Sequence, residues 1–161
     1  MKTKKSAGLA IIYDNKILLA HTTNRGWYGS YGIPKGGIEK GETHFEAALR
    51  ETKEEVGIKV PKNLIDKSNK HTFTVTTRKY GNKIVYYYIA QISDLSQIGL
   101  KDLVIPKKQL QTEEVDWAGF LNYDEAMKRV MKSQQVVINN LIGKGLLEKK
   151  DSILKFKDFN I

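Results

Sequence analysis

The chain predicts an α/β sandwich around a mixed sheet, and three observations carry that reading. Two segments place apolar residues on either side of a turn, as hairpins do; a helix signalled at both ends stands between them; and two more helical stretches follow the last strand signal. Strands and helices interspersed in this way pack as helices against the faces of one sheet.

The first hairpin joins Ala7 to Tyr13 with Lys16 to Ala20 through Asp14-Asn15, residue types that tolerate the left-handed backbone of tight turns. His21 to Gly32 is rich in Gly, Asn, Thr and aromatics and reads as a loop, where binding groups tend to collect. A Gly-rich segment, Pro34 to Gly41, follows. Next comes a helix over about Thr43 to Val56: Thr43 with Glu46 makes a capping box, and Gly57 followed by Ile58 stops it. Thr72 to Lys79 and Lys83 to Ser93 form a second hairpin around Tyr80-Gly81-Asn82, with Val85, Tyr87 and Ile89 alternating against Tyr86 and Tyr88. Leu95 to Leu110 reads as an irregular connection, Val115 to Phe120 as a strand and Tyr123 to Met131 as a helix. Gln134 to Leu147 reads as a last helix weakened by Gly143 and Gly145.

Length and composition narrow the function. The 161 residues suit one domain, read as 1–150, with 151–161 as a tail of no assigned role. Without cysteine there is neither a disulfide framework nor a thiolate metal site, so a metal would sit on oxygen or imidazole. That composition suits a reducing, cytoplasmic setting. The start, MKTKKSAGLAII, is basic and then apolar, but it runs at once into Asp14-Asn15 and reads as strand and turn rather than an export signal. No apolar run is long enough for a membrane span, and no membrane partner is expected. The formal net charge of +9 attracts polyanions without choosing among nucleotides, RNA and anionic surfaces. Its lysines are dispersed, so a solvated basic surface explains most of them.

The helix over 43–56 carries a charge pattern that folding does not require. On a wheel of about 100° per residue with Glu51 at zero, Glu54 falls near about 300° and Glu55 near about 40°. Three carboxylates therefore share one edge, beside an apolar stripe of Phe45, Ala48, Leu49, Thr52 and Val56. Like charges at these spacings repel, and the carboxyl-terminal half of a helix disfavours anions further. A compensating cation is expected, and Mg²⁺ or Mn²⁺ suits a set of oxygen donors beside a phosphate. The competing explanation is a solvated acidic face paired with lysines such as Lys53.

Gly36, Glu42, Arg50-Glu51, Glu54-Glu55 and Gly57, in the run GGIEKGETHFEAALRETKEEVGI, resemble the Nudix box, with Thr52 at a position usually aliphatic. The resemblance implies a Nudix-type α/β/α sandwich and a loop, helix and loop that hold metal. It implies Glu51, Glu54 and Glu55 as metal ligands, joined by a carbonyl of Gly36 or Gly37, with Arg50 and Glu42 as a supporting pair that orients them. The implied reaction is attack of water on phosphorus, the cation acidifying the water and screening the developing charge. Glu51 is one candidate for the residue that takes the proton. Glu113 and Glu114, just before Val115, resemble the acidic residue that serves in many relatives. Glu39 is acidic and close to the box, with a surface role at least as well supported.

The substrate is less constrained. Lys35 in Pro34-Lys35-Gly36 can contact a phosphate, and Gly32 to Gly37 is similar to the equivalent stretch of diadenosine tetraphosphate hydrolases, while Gly36-Gly37-Ile38 resembles bacterial RNA 5′-pyrophosphohydrolases. Trp27, Tyr28 and Tyr31 could stack a nucleobase, against packing over the sheet edge. His21, His44 and His71 are read as structural. The leading expectation is hydrolysis of a nucleotide-type small molecule, such as a dinucleoside polyphosphate. Removal of pyrophosphate from an RNA 5′ end, or decapping, is the alternative, and a sensor that binds nucleotides without turnover is a third reading, for which an intact acidic triad is unnecessary.

Overall fold

A computed structural model describes residues 4–23, 31–68, 70–77 and 81–149. Strand β1 (Lys4–Tyr13) and strand β2 (Lys16–Thr22) form the first hairpin, and both Asp14 (φ 46°) and Asn15 (φ 58°) take the left-handed backbone. Two short strands follow, β3 (Tyr31–Gly32) and β4 (Lys35–Gly37), then helix α1 (His44–Val56). Strands β5 (His71–Thr77) and β6 (Gly81–Ile92) make the second hairpin; β7 (Val115–Leu121), α2 (Tyr123–Arg129) and α3 (Lys132–Gly143) complete the order. The last helix thus starts ahead of Gln134 and stops at Gly143, short of the expected Leu147, where the two glycines cannot sustain it.

Among the described residues the sheet runs β3-β2-β1-β6-β5, with β4 added to β1 and β7 to β2. Among the described strands β1 and β6 are the pair that runs in parallel, over Lys4↔Lys83 to Tyr13↔Ile92, which makes the sheet mixed as expected. Strand β1 changes neighbour on its other edge. Ser6 to Gly8 pair with β4, whereas Ile12 and Tyr13 pair with β2. Between these contacts the sheet opens, and β2 leaves β1 to pair with β7 from Ile17↔Leu121 onwards.

Side chains alternate along β1 between two cores. Ala7, Leu9 and Ile11 join Phe45, Ala47, Ala48 and Val56 of α1, while Ala10 and Ile12 join Val137, Ile138 and Leu141 of α3. Helices therefore cover both faces of the sheet, an α/β/α sandwich. The buried stripe of α1 contains Ala47, which the wheel did not place there, and Leu49 is only partly buried. The connection over 95–110 is more ordered than its sequence suggests, with 3₁₀ turns at Leu95–Ile98 and Lys107–Gln109 and a bridge from Val104 to Gly119. No helix among the described residues is long and apolar enough to cross a membrane.

Two contacts position the segment that leads into α1. Buried Gln134 donates to the Tyr87 hydroxyl (2.8 Å) and accepts from the Ile33 amide (3.1 Å), tying α3 to the strand edge. Gly8 lies against that segment so closely that a Cβ would meet the Pro34 carbonyl oxygen at 2.5 Å and Lys35 Cβ at 2.7 Å.

Candidate active site

The amino-terminal cap of α1 is as its sequence predicts: Thr43 accepts from the Glu46 amide (3.1 Å) and Glu46 returns the contact to the Thr43 amide (3.0 Å). Gly57 ends the helix at φ 69°, its amide donating to Lys53. These caps fix the register in which Glu51, Glu54 and Glu55 share an edge.

Arg50 organises that edge. Its Nε donates to Glu42 Oε2 at 2.8 Å and its Nη2 to Glu42 Oε1 at 3.0 Å, a two-pronged pair. The same Nη2 donates to the Gly37 carbonyl (2.8 Å), and Nη1 donates to Glu51 (2.8 Å) and Glu54 (3.1 Å). Glu39 approaches Nη1 at 3.6 Å. The expected partnership of Arg50 with Glu42 is present, and one guanidinium gathers the other acids as well. The Arg50 bonds hold the Glu42 carboxyl below the usual carboxylate range.

Glu51 and Glu55 are pushed the other way. Burial raises Glu51 above an ordinary glutamate, with the charges of Glu54 and Glu114 adding to the effect and Arg50 opposing it. Burial, followed by the Glu51 charge, pushes Glu55 up to about 8. Nearby Lys35 is pushed down to about 8, first by burial and then by Lys83. Glu55 and Lys35 attract one another, yet burial outweighs that attraction for both. A further positive charge on this edge would stabilise ionised Glu55.

Gly36 lies under the carboxylate of Glu51. A Cβ there would fall inside the van der Waals envelope of Glu51 Cδ and both its oxygens, whereas a Cβ at Gly37 would meet nothing. The expected carbonyl donors consequently differ: the Gly37 oxygen already accepts from Arg50, while Gly36 backs Glu51.

Glu114 is exposed and reaches the edge from another element. The Gln111 amide donates to the Glu55 carbonyl (3.1 Å), the Glu114 amide to Gln111 (2.9 Å), and the Thr23 amide to the Glu114 carbonyl (2.8 Å), so this loop is tied to the end of α1. The Glu114 charge raises both Glu51 and Glu55; its exposed neighbour Glu113 is not among the main charges acting on them. Trp27 and Tyr28 lie outside the described residues. Tyr31 packs edge-on against Trp117 (5.8 Å between centroids) and beside His21 (4.7 Å).

Two features escaped the sequence reading. Lys83 stands close to Lys35 because β1 and β6 pair in parallel, a pairing without a local sequence signal. His21 Nδ1 lies 2.6 Å from Asp116 Oδ1, brought there by the β2 and β7 register, and its Nε2 is buried with no hydrogen-bond partner among the described residues.

Three helix-borne carboxylates, a glycine cradle and oxygen donors of the loop suit a hard divalent cation chemically. In the arrangement seen, no three acidic or imidazole groups among the described residues converge as a metal cluster, and Arg50 is bonded to two of the three helix acids, Glu51 and Glu54.

A mixed sheet between helices, with an acidic helix edge backed by a glycine loop, defines the class of protein, and comparison with known proteins gives its family. A family model described as NUDIX domain matches residues 2–141, and the chain belongs to that family. The chain is 49% identical over 49 residues to an ADP-ribose pyrophosphatase of Methanocaldococcus jannaschii, a stretch covering 30% of this chain and 28% of that protein. It is 36% identical over 61 residues to an asymmetrical bis(5′-nucleosyl)-tetraphosphatase of Rattus norvegicus, covering 38% of this chain and 41% of that protein. These matches therefore span less than half the length of either relative. A C. elegans Ap4A hydrolase structure shares the fold, with a TM-score of 0.65 at 21% identity over 88% of this chain and 96% of that one.

Proposed function

We propose that the protein hydrolyses a phosphoanhydride bond in a nucleoside diphosphate linked to another moiety, dependent on Mg²⁺ or Mn²⁺ and carried by one domain over 1–150. The observation that carries this reading is the acidic edge of α1 gathered around Arg50, with Gly36 shaped to the Glu51 carboxylate. The names of the two partial relatives, one for ADP-ribose and one for a dinucleoside tetraphosphate, support the substrate class.

In this reading Glu51, Glu54 and Glu55 hold the cation with a backbone oxygen near Gly36. When bound, the cation lowers the pKa of water and screens charge on the phosphate oxygens. Arg50 and Glu42 orient the acids. Glu51 or Glu114 takes the proton from the attacking water; burial raises Glu51 above an ordinary glutamate, the direction that makes a carboxylate a better proton acceptor. Lys35, with Lys83 beside it, contacts a phosphate of the substrate, and Trp27 and Tyr28 contact the nucleoside.

A panel of ADP-ribose, diadenosine tetraphosphate and 5′-triphosphorylated RNA, assayed with Mg²⁺ and with Mn²⁺, tests the proposal. Turnover of the first two above that of RNA supports it. Faster turnover of RNA would favour 5′-end pyrophosphate removal, to which the net charge of +9 also points. Nucleotide binding without turnover of any substrate would leave a sensor.

A further inference from the structure

At the opposite end of α1 from Glu54 and Glu55 lies a cleft of ≈ 390 Å³ lined by Glu42, Thr43, His44, Phe45, Lys67, Lys70 and Tyr88. Its aromatic and cationic groups are already organised. The His44 ring stacks on Tyr86 (centroids 3.8 Å apart, planes 15° apart), and Lys70 Nζ sits 4.9 Å above the same tyrosine ring. Lys67 Nζ lies 4.7 Å over Phe45, which meets Tyr88 edge-on at 5.2 Å.

The hydrogen bonding defines what His44 offers. Lys70 Nζ is 3.3 Å from His44 Nδ1, and an ammonium can only donate, so Nδ1 accepts and the ring proton sits on Nε2. Burial, reinforced by the charges of Lys70 and Lys5, favours the neutral ring. A neutral imidazole supported from behind by Tyr86 is a flat surface for a base, with an N–H to donate at its rim.

Of the acids nearby, Glu42 is paired through both oxygens with Arg50, while Glu46, in the capping box, and Asp66, bonded by Ser68, keep their charge but do not line the cleft. The α1 amino terminus is itself capped by the Thr43 side chain. What faces the cleft is a positive field over aromatic surface, the combination that recognises an aromatic anion.

We propose that this cleft is a nucleotide-binding site separate from the acidic edge, taking a nucleoside monophosphate with its base on His44 and its phosphate between Lys67 and Lys70. The site does not depend on hydrolysis, so it stands or falls apart from the proposed reaction.

Calorimetric titration of AMP into the full chain in EDTA tests it, because EDTA removes any divalent ion that would hold a phosphate at the acidic edge and Lys35→Ala removes the lysine there. One saturable site is expected. The pair Lys67→Ala and Lys70→Ala should weaken it by roughly tenfold or more, and His44→Ala should weaken AMP severalfold while leaving inorganic phosphate unchanged. Lys35→Ala should bind AMP as the wild type does. The proposal is overturned if AMP shows no saturable binding, if Lys35→Ala abolishes it while the double variant does not, or if inorganic phosphate binds as tightly as AMP. Lys67 and Lys70 are exposed, His44 and Lys35 are partly buried but outside the two apolar clusters, and a thermal melt of each variant checks that it is folded.

Discussion

Arg50 grips Glu42 with two parallel bonds of 2.8 and 3.0 Å while the third nitrogen of the same guanidinium holds Glu51. A lysine can carry the charge but not the fork. Arg50→Lys is therefore expected to lower kcat by about 10 to 100-fold, the usual cost of losing a residue that orients ligands rather than reacting. Steady-state kinetics beside a circular dichroism melt would check this; full activity in a folded Arg50→Lys protein would contradict the orienting role.

Two adjacent glycines provide an internally controlled pair. Gly36→Ala forces a methyl group onto the Glu51 carboxylate, so it should reduce turnover by more than an order of magnitude and shift the metal requirement upward. Gly37→Ala meets nothing and should be nearly silent. Equal activity for both variants, measured across a Mn²⁺ titration, would remove Gly36 from the site.

Glu54→Gln should cut turnover by orders of magnitude with little effect on stability. The half-exposed Glu54 gives up its contact with Arg50 at 3.1 Å, about 0.3 to 0.5 kcal/mol for such an exposed helix pair. Relief of repulsion from its acidic neighbours returns a few tenths of a kcal/mol. The two nearly cancel, so the melting temperature should move by no more than a few degrees. Unchanged turnover would count against a metal-holding role.

In the metal-free protein Glu55 should contribute a loss of stability as pH rises from about 5 to 8. Glu55 is raised from its ordinary 4.5 to about 8, so between those values the folded chain holds a proton that the unfolded chain has released. Stability from this group is complete below 4.5 and lost as pH climbs through about 8. Lys35, lowered from 10.5 to about 8, works in a separate window, adding stability as pH rises from about 8 toward 10.5. Thermal melts of wild type and Glu55→Gln in EDTA isolate the first effect: the variant should show a shallower decline between pH 5 and 8. Identical slopes would mean that Glu55 titrates normally.

Much of this arrangement was legible in the chain itself because its signals are local. The caps of α1 at Thr43 and Gly57, the turn at Asp14-Asn15 and the alternation through Val85, Tyr87 and Ile89 each act within a few residues, and each element appears near its expected place. The shared edge of Glu51, Glu54 and Glu55 follows from helical geometry alone. What the chain did not disclose depends on long-range pairing. Lys83 reaches Lys35 through the parallel β1 and β6 register, and His21 meets Asp116 through β2 and β7. The pairing of Arg50 with Glu42 was expected, but the approach of Glu39 and of the Gly37 carbonyl to the same guanidinium was hidden, since both reach it only once the loop folds back against β1.

The close fit of Gly8 against Pro34 and Lys35 has a consequence for how such a protein can diversify. The reactive loop is seated by main chain pressing on main chain, so its placement is insulated from changes in outward-facing side chains. Ligand preference can drift through surface exchanges while the chemical machinery stays in register, but Gly8 itself is locked: even a single methyl group there would displace the loop and everything aligned upon it.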